Sequence, residues 1–240
     1  MANYGFTFNN KHSIRDIGVI MEYKKIQPPA KKKLKLAVPY MNGMYDFSTI
    51  GSNGEQVFEQ RIINVKIDLL SKAKTKEDLQ RLYSRVCEWL LNTPKAKLVF
   101  DDDTGFFYMA EVESVSSWEE TWYWGYMEFT FTCDPFKYGA TYYGSDLLWD
   151  NLDFDLPDYI QQSRFTINGI QTVYLYVPWG HSFTPNVVVD STMTCTLNNY
   201  TATFAPNSPI DYGFRLLNGT NAITIQGTGD IEFQFRKEML

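Results

Sequence analysis

Only two histidines, His12 and His181, and three cysteines, Cys87, Cys133 and Cys195, offer side chains whose ionisation lies within reach of neutral pH. A nucleophilic triad would set one histidine between a nucleophile and an orienting carboxylate. No Gly-x-Ser-x-Gly elbow precedes a helix, and no cysteine sits in a reactive sequence context. The cysteines are far apart, with no CxxC or Cys/His pair, so neither a disulfide framework nor a structural zinc site fits their spacing. Asp101, Asp102, Asp103 and Gly105 invite a calcium reading. Calcium loops space their ligands at alternate positions, however, and pleating sends the middle of three adjacent aspartates the opposite way. A solvated hairpin turn is expected there. Gly227-Thr228-Gly229 lacks the Lys-Ser/Thr and the following helix of a phosphate loop, and it too is expected to be a hairpin turn. No catalytic residue, metal or cofactor is expected. Because Asp and Glu are plentiful, the facing carboxylates of a cell-wall hydrolase remain a reading for experiment.

Aromatic residues are the stronger signal. Trp118, Trp122, Trp124 and Tyr126 lead into Met127, Phe129 and Phe131. Trp122, Trp124 and Tyr126 have the opposite parity to the strand that follows, and so project from its other face. Two readings stand: an apolar interface patch, or a second covered face or parity-swapping bulge. Further on, Tyr174 and Tyr176 alternate against Val173, Leu175 and Val177, and Trp179 follows. Such aromatics either stack on sugar rings or are partly buried at a domain contact.

The elements that position these residues are mostly strands. One helix is expected over 76–92. Thr75 is its N-cap with Asp78 three residues on, Leu79, Leu82, Tyr83, Val86 and Leu90 form one face, and Thr93-Pro94 ends it. Ile63, Val65, Ile67 and Leu69 alternate with polar residues as a half-buried strand. Lys97–Phe100 and Phe106–Val112 flank the aspartates as a hairpin, and the strand Met127–Cys133 stops at Asp134-Pro135. Lys31 through Leu36 to Phe47 reads as a long hairpin arm with one wet and one buried face. It is either an edge guarded by lysines or an arm that packs on a neighbouring subunit. Beyond an acidic stretch, Asp146–Asp158, short strands are expected at Arg164–Ile167, Val173–Val177, Asn186–Asp190, Met193–Leu197, Tyr200–Phe204, Phe214–Leu217, Ala222–Ile225 and Ile231–Arg236. Turns are expected between them at Asn168-Gly169, Asn198-Asn199, Asn218-Gly219 and Gly227–Asp230.

At 240 residues the chain suits two domains, with the boundary at 134–145, giving 1–139 and 140–240. Aromatics at 16% and charged residues at 21% mark a folded rather than disordered chain. The first part is charge-neutral, and the whole net charge of −6 lies in residues 140–240. That argues against nucleic-acid binding by the second part, which would need a basic surface. Met1–Ser13 is polar, and no window nears the roughly 18 apolar residues of a membrane helix. A soluble, unsecreted protein is therefore expected.

Several stretches in order carry a family likeness. They are Val38-Pro39 with Asn42-Gly43-Met44-Tyr45-Asp46-Phe47, then Phe58 to Val65, Trp89-Leu90, Leu98 to Asp102 with Tyr108-Met109-Ala110, Phe129-Thr130-Phe131 running to Cys133-Asp134-Pro135, and Leu217 to Asn221 before Ile223-Thr224-Ile225. Together they resemble the distal tail proteins of long-tailed phages and prophages of Gram-positive bacteria. The likeness spans essentially the whole chain and is stronger over 1–139. It rests on the joint order of packing and turn residues, none diagnostic alone.

The resemblance implies a mainly β fold. The N-terminal body would be a tail-tube-like β-barrel or sandwich with one flanking helix and a hairpin arm, and the C-terminal body a galectin-like antiparallel β-sandwich. It implies a structural hub of the tail tip or baseplate, in which six copies close a ring that DNA passes through. The partners implied are the major tail tube protein, a tail-associated lysin or tail fibre protein, and in some phages tape-measure and receptor-binding proteins. The site is the virion tail tip, with assembly in the host cytoplasm. Ring contacts would come from Leu34, Leu36, Tyr45, Phe47, Arg61, Trp122, Trp124 and Tyr126, with Arg61 free to bind a neighbour's carboxylate. Asp101–Asp103 would line the channel, and Tyr174, Tyr176 and Trp179 would meet a glycan or partner. The alternative function is a carbohydrate-binding module for host-surface glycans in the second domain.

Overall fold

The computed structural model describes residues 4–50, 54–69, 75–120, 125–143 and 160–240. Trp122, Trp124 and the acidic stretch 146–158 lie outside the described residues. Contacts divide the chain into two compact units, 1–140 with Leu240, and 141–239.

In the first unit, apolar residues alternate along β1 (Phe6–Phe8), β6 (Arg61–Asp68), β7 (Ala96–Phe100) and β9 (Gly125–Cys133), and they bury one face of a single sheet. With β2 (Lys11–His12), β3 (Ile20–Ile26) and β8 (Phe106–Glu120), the order is β2-β1-β7-β8-β9-β6-β3, all antiparallel. β10 (Lys137–Gly139) pairs the start of β8. The end strands β2 and β3 do not pair with each other, so the sheet is open and not a barrel. Register places Ile63 opposite Phe131, Val65 opposite Phe129 and Ile67 opposite Met127, which concentrates large side chains in one layer. Helix α1 (Lys76–Leu91) covers that layer with Leu79, Leu82, Val86, Trp89 and Leu90. Its start is as expected: the Thr75 hydroxyl accepts from the Asp78 N–H. The Trp89 ring stacks on Phe6 at 5.5 Å, and its indole N–H donates to the Phe8 carbonyl.

The arm carries β4 (Lys35–Leu36) and β5 (Tyr45–Asp46), paired only with each other. The expectation of one buried face is not met within the chain: Leu34 is 64% and Leu36 56% exposed, and Tyr45 and Phe47 are open as well.

In the second unit, β11 (Arg164–Val177), β15 (Gly219–Gln234), β13 (Met193–Leu197) and β14 (Tyr200–Phe204) pair in that order, and β12 (Asn186–Val189) joins the far end of β15. Two expected turns are absent. Asn168-Gly169 and Gly227-Thr228-Gly229 face each other inside one continuous β11/β15 ladder, Asn168 opposite Thr228 and Gly169 opposite Gly227. All three glycines have positive φ, at 88°, 155° and 137°, so they bend a long ribbon rather than end it. Phe214–Leu217 is not a strand either. Leu216 makes one isolated bridge to Phe183, while Phe214 is buried against Phe204 and Phe233.

Candidate functional site

The β7–β8 turn carries the three aspartates, and each turns to a different partner. The Asp101 carboxylate meets the His12 Nε2 at 3.2 Å. Asp102 accepts from Lys24 at 2.5 Å and from the Tyr4 hydroxyl. Asp103 pairs with Lys137 at 2.9 Å. Partial burial opposes ionisation at Asp102, but hydrogen bonds from Lys24 and Tyr4 outweigh it and hold the carboxyl below its usual value. Burial, with the Asp102 hydrogen bond added, pushes the Tyr4 phenol up to about 12. Lys24 also lies 4.0 Å from the Phe100 ring centre. It reaches that side because a bulge between Met21 and Tyr23 swaps the parity of β3. The carboxylates thus diverge, and two of them carry a lysine partner. Among the described residues no group of His, Cys, Asp and Glu is arranged to hold a metal.

Both histidines have local partners. The His12 Nδ1 accepts from the Ile14 and Arg15 N–H groups, capping a single π-helical turn, Ser13–Ile17, that closes on Gly18. His181 Nε2 lies 2.8 Å from Glu238. Burial pushes the Cys133 and Cys195 thiols up to about 12. A hollow of about 700 Å³ between the π-turn and α1 is lined by Lys11, Asp16, Arg85 and Glu88. Arg85 is already committed there to the Asp16 carbonyl.

The ring-interface candidates separate. Leu34, Leu36, Tyr45 and Phe47 share the exposed arm, where Tyr45 and Phe47 stack at 6.0 Å. Asp46 staples the arm's end: the Ser48 hydrogen bonds and Lys33 hold its carboxyl well below the usual range. Tyr126 projects from the outer sheet face as expected, opposite Asp68, with Lys66 4.2 Å from its ring centre. Arg61 is not available to a neighbour. It is 5% exposed, its Nε–H donates to the Pro135 carbonyl, and its guanidinium lies 5.6 Å from the Tyr108 ring centre. The reason is parity: residue 61 shares the buried face of β6 with Ile63 and Val65.

Trp179 is likewise corrected. At 8% exposure it packs against Tyr143, Phe183 and Phe235 and cannot stack on a ligand. The reason is again parity: residue 179 shares the odd, inward parity of Val173, Leu175 and Val177, not that of Tyr174 and Tyr176. Tyr174 and Tyr176 stay outside, 65% and 39% exposed. Their sheet face is unusual in composition. Outward positions from Asn168 to Tyr176 pair with Thr228, Gln226, Thr224, Ala222 and Thr220, and Thr194 and Thr196 on β13 pair with Thr203 and Thr201 on β14. Cross-strand hydroxyl bonds link Thr172 with Thr224, Thr194 with Thr203, and Thr196 with Thr201. None of these positions is charged. Strand alternation showed which tyrosines point out. The neutrality of this stretch emerges only once β13 is known to lie beside β15, with β14 beyond it.

This architecture, a sheet-based body with a covering helix and a second antiparallel body, is similar to one already solved for a phage protein. The particular structure is that of the Dit protein of phage SPP1, described as a paradigm of the hub adsorption apparatus in phages infecting Gram-positive bacteria. The likeness covers 99% of this chain and 99% of that one, with a TM-score of 0.63 and 11% sequence identity. The mainly β fold is therefore shared along the whole chain. No family profile matches the sequence, and no curated protein matches it.

Proposed function

We propose that this chain is a structural hub of a phage tail tip: a distal tail protein whose copies close a ring, six to a turn, between the tail tube and the lysin, fibre or receptor-binding proteins beyond it. The observation that carries the reading is the likeness to the SPP1 hub protein over the full length of both chains. The arm supports it. Leu34, Leu36, Tyr45 and Phe47 expose apolar surface on a hairpin whose strands β4 and β5, among the described residues, pair only with each other. In a closed ring, each subunit offers one surface and receives another. The hexamer, its DNA passage, and a place in the virion after assembly in the host cytoplasm all belong to this proposal. So does the assignment of a ring-forming tail-tube-like role to the first unit and a galectin-like role to the second. Asp101–Asp103 would then form a nearly neutral wall, since Lys24 and Lys137 offset two of its charges. A passage that must not grip DNA suits such a wall.

Sedimentation velocity on the pure chain tests this. A species six times the 27.9 kDa chain is expected. Leu36→Asp with Phe47→Ser should weaken its assembly by about tenfold or more, as loss of interface anchors does. Unchanged assembly in that variant would remove the arm from the ring contact.

A second reading, glycan recognition by the second unit, is favoured by the uncharged stretch of sheet face, Asn168 to Tyr176 and its cross-strand partners, that carries Tyr174 and Tyr176.

A further inference from the structure

The second unit holds all of the chain's net charge of −6, yet the outward positions Asn168 to Tyr176, their β15 partners, and Thr194, Thr196, Thr201 and Thr203 carry none. The charged outward positions Arg164, Asp230 and Glu232 lie together at the far end of the β11/β15 ribbon, where Arg164 pairs with Glu232. Two adjoining hollows of about 450 and 410 Å³ run along the β11 edge of this face and share Gln162 and Tyr174. Their polar lining consists of amides and hydroxyls such as Gln161, Gln162, Gln171 and Thr172, and no lining residue is charged. Tyr174 stands at their junction. Its hydroxyl has no hydrogen-bond partner among the described residues.

We propose that these hollows bind a neutral oligosaccharide, with the Tyr174 ring as stacking platform and Gln162, Gln171 and Thr172 as hydrogen-bonding groups. The inference rests on the second reading above and is independent of the ring. Neutral sugar rings offer apolar C–H faces to an aromatic ring and hydroxyls to amides. An anionic polymer would need cations here, but the lining of the hollows has none, and Arg164 at the end of the same strand face is paired with Glu232. An apolar protein partner would have to desolvate a threonine array. Strand addition by a peptide is obstructed at both ends of β11. The Gln161 side-chain amide occupies the N–H and C=O of Tyr176, each at 2.7 Å, and Gln162 Nε2 occupies the Arg164 carbonyl at 2.6 Å. Between them Gly169, at φ 88°, bends the edge.

The test uses the full chain on an array of neutral hexose and N-acetylhexosamine oligosaccharides with their uronate- and phosphate-bearing counterparts, followed by calorimetric titration of the strongest neutral ligand. Neutral oligosaccharides should bind. Tyr174→Ala, at an exposed position, should weaken them about tenfold or more with an unchanged melting temperature, and Thr172→Val should weaken them less. Trp179→Phe should leave affinity unchanged. Binding that survives Tyr174→Ala would overturn the placement while leaving glycan recognition standing. Binding of anionic glycans alone would overturn the assigned ligand class. No binding of any glycan would overturn both the site and the reading on which it rests.

Discussion

At Gly229, a Cβ would meet the Asp190 Oδ1 at 2.1 Å, and φ is 137°. Gly229→Ala should therefore cost about 1–3 kcal/mol, read as a clear fall in melting temperature. Gly105→Ala, with open space around it, should shift it little. Asn221 is buried, and its amide ties the Leu217 N–H to the carbonyls of Leu217 and Gly219 at the entry to β15. Asn221→Ala should cost about 2–3 kcal/mol by orphaning them, measured by denaturant unfolding. The thiols make a third prediction. With Cys133 and Cys195 raised to about 12, a thiol reagent at pH 8 should label Cys87 alone in the native chain and all three cysteines after unfolding. A thiol pKa raised by folding adds stability below the ordinary value of 9.0 and loses it as pH climbs toward 12. The fold should accordingly weaken over that alkaline window. The same glycines mark where sequence reading stopped short. Gly-Thr-Gly-Asp is compatible with a turn or with a bend inside a ribbon, and only the partner strand decides. Trp179 and Arg61 share one explanation: each has the parity of its buried neighbours, Trp179 with Val173, Leu175 and Val177, and Arg61 with Ile63 and Val65.

At the scale of elements, α1 was readable because cap, apolar stripe and stop all lie within its own sequence. Strands β6 and β9 were readable for the same reason, since alternation reports a half-buried face directly. The arm was readable only in part. Lysine–leucine alternation foretold a face to be buried but not by what, and in the single chain neither side is covered. Leu36→Asp should thus leave the melting temperature of the isolated chain nearly unchanged while impairing assembly. Equal loss of both would mean that the arm folds onto its own subunit. The neutral stretch of sheet face was illegible because it is assembled from β11, β15 and the β13–β14 hairpin, separate in sequence, with two to five residues from each strand.

At the scale of the molecule, the SPP1 hub protein shares the fold at 11% identity. Core positions require only an apolar residue of suitable size and tolerate wide substitution, so a fold can persist at such low identity. The proposed functions rest on two surfaces: an arm left open in the first unit, and an uncharged tyrosine–threonine stretch of sheet in the second. The most direct measurement is electron microscopy of the purified full chain with two-dimensional averaging. The account predicts closed six-fold rings with an open centre. A population of single particles of one-chain mass, unchanged up to the solubility limit and after addition of the tail tube protein, would contradict it.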